Sequence, residues 1–264
     1  MRRNLLGYNR VVVWLWVLLS LMMLSYAGPA QAADPSGSEL IAKMEAAVKA
    51  LKSAHLTVTF QIASEIGPVK GSIEFWGQRP DQLRAKFKSE DAGLDGLEAV
   101  SDGKQFWAYS PFAQLVIVAD RSTYRLQMAD QPELREIASY AEEIVARGFA
   151  DTEATNLGSE QVNGRDTYKV EVTFAPSATS QVDLEGVTVT FWIDQATYLP
   201  QRIEVSVQRE EFTMSGFIAV EGAIETNQAI ATDVFTFTPP EEATVVDLAD
   251  LPSLPVLTGL PEVE

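Results

Sequence analysis

Few side chains of this sequence could do chemistry. His55 is the sole histidine. It sits in an alternating stretch with no serine and aspartate set around it as a hydrolase would need, and it reads as a strand-face residue. The pair Glu210-Glu211, directly after Arg209, resembles a solvated edge, since nothing in the pattern indicates the burial that moves a carboxylate into the range of acid–base catalysis. An acid hydrolase would need a buried carboxylate pair that the sequence does not display. It also holds no nucleophile elbow, no phosphate-cradling glycine loop and no zinc spacing. With no cysteine there is no thiolate ligand, disulfide or lipid-attachment site. The expectation is a protein that is not an enzyme and has no cofactor or metal. Arg79, followed by Pro80, stands out for holding rather than transforming: a guanidinium offers five donors, enough for several orphan carbonyls at a helix end.

The elements that would position these residues follow from periodicity. Ser36 with Glu39 three residues on makes a capping box, and Leu40, Ile41, Met44, Ala47, Val48 and Leu51 recur at helical spacing. A lone helix of this length is marginal in water, so its apolar face needs a sheet to pack on. From His55 the period becomes two. Leu56, Val58, Phe60 and Ile62 alternate with polar residues, as do Val69, Gly71, Ile73 and Phe75, then Leu83, Ala85 and Phe87. Arg79-Pro80-Asp81 and Asp102-Gly103 read as turns, followed by strands at Phe106–Tyr109 and Gln114–Ala119.

A second helical zone is expected from about Ser122 to Arg147. The alternation then resumes over Gln161–Phe174 with an Asn163-Gly164 turn, Val187–Ile193, Ile203–Val207, Phe212–Ala223 and Val234–Phe237. The sum is an α+β fold: a strongly curved antiparallel sheet of about ten strands, because so many twisted strands cannot lie flat, with helices packed on its concave face. Trp76 and Trp192 fall opposite the apolar sets of their own strands and are expected at the rim or outside; Trp107 fits either face.

Arg2, Arg3 and Arg10 precede an apolar run from Val11 to Leu24, and Ala30-Gln31-Ala32 supplies a small-x-small cleavage pattern. Residues 1–32 are therefore expected as a signal peptide, residues 33–248 as one domain, and residues 249–264, with Pro252, Pro255 and Pro261, as a flexible tail. The competing expectation is an uncleaved anchor over Val11–Gly28. Either way the protein is exported, to the periplasm or extracytoplasmic space. The net charge of −17 argues against nucleic acid and anionic membrane faces as partners.

Motifs in order along the mature chain resemble the periplasmic outer-membrane lipoprotein carriers of the LolA type and the wider superfamily of LolA, LolB, LppX and RseB. They are Arg79-Pro80 after an aromatic strand, Ser101–Lys104, Phe106–Tyr109, Pro111-Phe112 and Gln114, Trp192 and Asp194 with Leu199, Pro200 and Arg202, and finally Phe235, Phe237 and Pro239. The resemblance implies an incomplete β-barrel, a helical lid, and a hydrophobic cavity that shields lipoprotein or lipid acyl chains passed between membranes by donor and acceptor proteins. It implies that Arg79 bonds lid backbone and gates cargo, and that Val58, Phe60, Ile73, Phe75, Leu83 and Phe87 line the cavity if their face is concave. A monomer is expected. The polar loop Ser89–Gly96, Ser110 and Ala113 depart from the usual pattern. The alternative reading is an envelope sensor of the RseB/MucB type, though little chain follows Leu248 to build the second domain such regulators add.

Overall fold

A computed structural model describes residues 35–63, 67–90, 93–120, 152–174, 186–209 and 212–250. The leader, the expected helical zone Ser122–Arg147, Glu210-Glu211 and the tail beyond residue 250 lie outside the described residues.

The chain enters through helix α1 (Gly37–Ala50), whose capping box forms as its sequence dictates. The Ser36 hydroxyl accepts from the Glu39 N–H and the Glu39 carboxylate accepts from the Ser36 N–H at 2.8 Å. The Ser36 N–H and then its hydroxyl hold the Glu39 carboxyl below the ordinary carboxylate range. Leu40, Ile41, Met44 and Val48 are buried.

Twelve strands follow. The first six form a meander: β1 (Ser53–Ile62), β2 (Val69–Gln78), β3 (Gln82–Ser89), β4 (Glu98–Asp102), β5 (Gln105–Ser110) and β6 (Leu115–Asp120). The second meander is β7 (Thr152–Val162), β8 (Arg165–Phe174), β9 (Val187–Asp194), β10 (Pro200–Arg209) and β11 (Phe212–Thr226). A 3-10 turn at Thr232–Phe235 leads to β12 (Thr244–Asp247), and a second 3-10 turn covers Leu248–Asp250. The strand order is β12-β6-β5-β4-β3-β2-β1-β11-β10-β9-β8-β7, one curved sheet that does not close. The two meanders meet at one seam, where β1 pairs antiparallel with β11.

Three features correct the sequence expectation. The sheet has twelve strands rather than about ten. Val234–Phe237 is not a strand: Phe235, 1% exposed, is buried from within a 3-10 turn. And β12 joins β6 in parallel, so the sheet is not purely antiparallel.

Burial follows the alternation. Phe60, Ile218, Ile203, Phe191 and Val170 stand opposite one another in five neighbouring strands and are almost completely buried. At roughly 1.5–3 kcal/mol for each large apolar side chain removed from water, this row is the spine of the core. Val100 and Val116 are also buried but belong to the opposite face. There the C-terminal segment lies across β3 to β6: the Arg84 guanidinium donates to the Val234 and Thr236 carbonyls, and Phe237 meets Trp107 and Tyr109.

Candidate functional site

The last carbonyls of a helix have no partner within it, and at α1 Arg79 supplies one. Its Nε donates to the Leu51 carbonyl at 2.7 Å and its Nη2 reaches the Val48 carbonyl at 3.5 Å. Its backbone N–H donates to the Lys52 carbonyl at 2.9 Å. Arg79 occupies the β2–β3 turn, where the Arg79–Pro80 peptide is cis. The same junction is gripped from β11. The Lys52 N–H donates to the Asn227 side chain at 2.7 Å, the Asn227 N–H to the Ser53 carbonyl, and the Ser53 hydroxyl to the Gln228 carbonyl. Leu51, Lys52 and Ser53 thus form a node that joins α1, the β2–β3 turn and the end of β11. Sequence reasoning found Arg79 but not Asn227, whose positive φ of 57° reflects the tolerance of asparagine for left-handed backbone.

The other end of α1 is held by close approach. A β-carbon on Gly37 would overlap the Ala154 carbonyl of β7, and the Asn156 amide donates to the Pro35 carbonyl at 2.8 Å. Midway, Lys43 lies 5.0 Å from the Tyr198 ring centre. α1 therefore bridges from β7 to the β2–β3 turn.

The six apolar residues singled out from the sequence come together on one face. Val58, Ile73 and Phe87 are in register across β1, β2 and β3. The Phe60 ring covers Gly71, and the Phe75 ring covers Gly77. Val58, Phe60, Ile73, Phe75 and Phe87 are buried in the main cluster, and Leu83, partly buried, packs against it.

The outer face carries the polar residues. His55 stacks on Trp76 with ring centres 4.9 Å apart and planes 7° apart. Lys169 and Arg202 each lie 4.9 Å from the Trp192 ring centre, and Trp192 donates to Glu160. Both tryptophans are outside, where the alternation put them; Trp107 joins them beneath Phe237. A pocket of about 430 Å³ lies over β8 to β10 on this face, lined by Glu171, Glu204, Thr188, Thr190, Ser206 and Gln208. Phe112, of the Pro-Phe pair, is 69% exposed.

The Trp192-x-Asp194 motif proves structural. Burial alone would raise the Asp194 carboxyl, but the Arg165 guanidinium at 2.8 Å, the N–H and hydroxyl of Thr197 and the Ala196 N–H outweigh it and hold it below the ordinary range. The carboxylate thereby fixes the β9–β10 turn. Among the described residues, no three of His, Asp and Glu converge to hold a metal ion, and no helix is long and apolar enough to cross a membrane.

The chain is similar to an uncharacterized conserved protein from Thermus thermophilus, with 12% identity over 80% of this chain and 98% of that one and a TM-score of 0.47. It is similar to MucB of Pseudomonas aeruginosa in the MucA/MucB complex, with 14% identity over 80% of this chain and 63% of that one and a TM-score of 0.46. It is also similar to lipoprotein LppX of Mycobacterium tuberculosis, with 15% identity over 76% of this chain and all (100%) of that one and a TM-score of 0.43. No curated protein matches. A family model described as predicted periplasmic protein matches residues 37–249, most of the chain, and the protein belongs to that family, DUF2092.

Proposed function

We propose that this protein is an extracytoplasmic carrier that shields lipid or lipoprotein acyl chains and passes them between membranes. The observation that carries this reading is the latch: Arg79 holds the C-terminal carbonyls of α1 through its side chain, at one edge of an apolar sheet face that includes Val58, Ile73 and Phe87. Because α1 also buries Leu40, Ile41 and Met44 in the core, opening on this reading requires that apolar face to leave the sheet together with the latch. On the apolar face of β1 to β3, Val58, Phe60, Ile73, Phe75, Leu83 and Phe87 would meet the acyl chain, each methylene contributing roughly 0.8 kcal/mol on leaving water. Reversible capture needs no catalytic group. Release needs a closed state of lower affinity for cargo, because a ligand shifts only states between which it discriminates.

Mass spectrometry of the lipid extract from protein purified from its native envelope without detergent tests the reading. Stoichiometric acylated protein supports a lipoprotein carrier, and a free phospholipid or glycolipid supports a lipid carrier. A clean protein that also fails to bind an added apolar fluorescent probe refutes both. An envelope sensor would instead copurify with a membrane-embedded regulatory partner.

A further inference from the structure

His55 is placed unlike an ordinary surface histidine. Its Nε2 lies 3.2 Å from the Glu74 carboxylate of β2, and its Nδ1 lies 3.2 Å from the Glu225 carboxylate of β11. Both neighbours of β1 are therefore tied to one ring, which Trp76 holds flat by stacking. A neutral imidazole has a single N–H and can donate to one carboxylate. Its other nitrogen would then turn a lone pair towards the second. Only the imidazolium donates to both.

The surrounding charges fit the charged ring. Lys86 of β3 stands opposite Glu74 in register and 5.9 Å from the Trp76 ring centre. Arg84 of β3 is committed to Glu98 and the C-terminal segment, and Glu221 of β11 faces Thr57. The Lys86 ammonium itself lies 4.0 Å from Glu98, so with His55 protonated the ring is the positive charge that lies between the Glu74 and Glu225 carboxylates. With it neutral, that charge is gone and the two carboxylates face an uncharged ring.

The site also lies at a weak point. The β1–β11 register slips between His55 and Thr57, on the seam that joins the two meanders in the strand order of the described residues, and two residues beyond the Leu51–Ser53 node where Arg79 holds α1. We propose that His55 is a proton-operated clasp. Protonated, it locks β1 to both β2 and β11; neutral, it releases one of them and loosens the seam end beside the α1 junction. The sign is fixed by the partners: the lock needs the ring charged and both carboxylates ionised, and it is lost when the ring gives up its proton. The clasp concerns the sheet itself and does not depend on the carrier reading.

Amide hydrogen exchange on the full chain, corrected for the intrinsic pH dependence of exchange, tests it. Protection of the Ala54, Arg79 and Asn227 amides should fall roughly two- to fivefold between pH 6 and pH 8, the range an exposed ion pair supports. In His55→Gln and in Glu74→Leu, which leaves the ring a single acceptor, this fall should vanish, while protection of the core amides Val170 and Phe191 stays as in wild type. An unchanged protection ratio in wild type, or a wild-type fall retained in either variant, would overturn the clasp. Because the chain has one histidine, its single set of imidazole proton resonances reports the ring's charge in the same samples.

Discussion

Arg79 shows what one side chain can do at a helix end. Replacing it with leucine removes the bonds to Leu51 and Val48 but leaves the sheet intact. We expect a stability loss of about 1–3 kcal/mol, the worth of hydrogen bonds from a charged group, and, on the proposed carrier reading, cargo that is trapped or released more slowly. Equal transfer rates for variant and wild type would remove Arg79 from the gating role. Asp194 has a structural task and a pH signature. Its carboxyl is depressed in the folded state, so the stability it contributes is complete above the ordinary aspartate value, near about 4. It is lost progressively as pH falls through the folded value. Asp194→Asn keeps an acceptor for the turn but loses the Arg165 ion pair. Urea unfolding from about pH 7 down to 3 should show the variant weaker by about 1–2 kcal/mol at neutral pH and converging with wild type in acid. Both residues were visible in the sequence, because Arg-Pro after an aromatic strand and Trp-x-Asp before a turn are local patterns. Asn227 was not, since its partner Lys52 lies 175 residues away and no local pattern records such a contact.

Among the elements, legibility tracked burial. β1 to β3 and β8 to β10 have one wet and one dry face, and their alternation was plain. β7 was not: as an edge strand with most positions exposed, it has no apolar period to read. β12, four residues of which none is buried, is defined by pairing with β6 rather than by its own composition. The apolar Val234–Phe237 misled because Phe235 is buried by one anchoring contact region, not by alternation. The helix is the element whose placement can be tested most directly. Gly37→Ala would improve helix propensity, yet its β-carbon would overlap the Ala154 carbonyl, and backbone cannot yield as a side chain can. A net loss of about 1–3 kcal/mol is expected, in line with overpacking, measured by thermal or chemical unfolding. A gain would mean that α1 and β7 are not tightly joined.

At the scale of the sheet, the decisive feature is the seam where β1 and β11 join the two meanders among the described residues. Ile218 sits on it, fully buried between Phe60 of β1 and Ile203 of β10. Ile218→Ala should cost about 2–5 kcal/mol, and calorimetry should still record one transition at lower temperature. Two resolved transitions would show that the meanders fold independently. The seam also has a consequence in time. Thr59 of β1 bonds to Ala219 of β11 across 160 residues, and a ribosome adding about 5–20 residues per second needs roughly 8–30 s to supply the second partner of the first strand. Throughout that interval β1 can pair with β2 but not yet with β11, so one of its two backbone edges has no native partner.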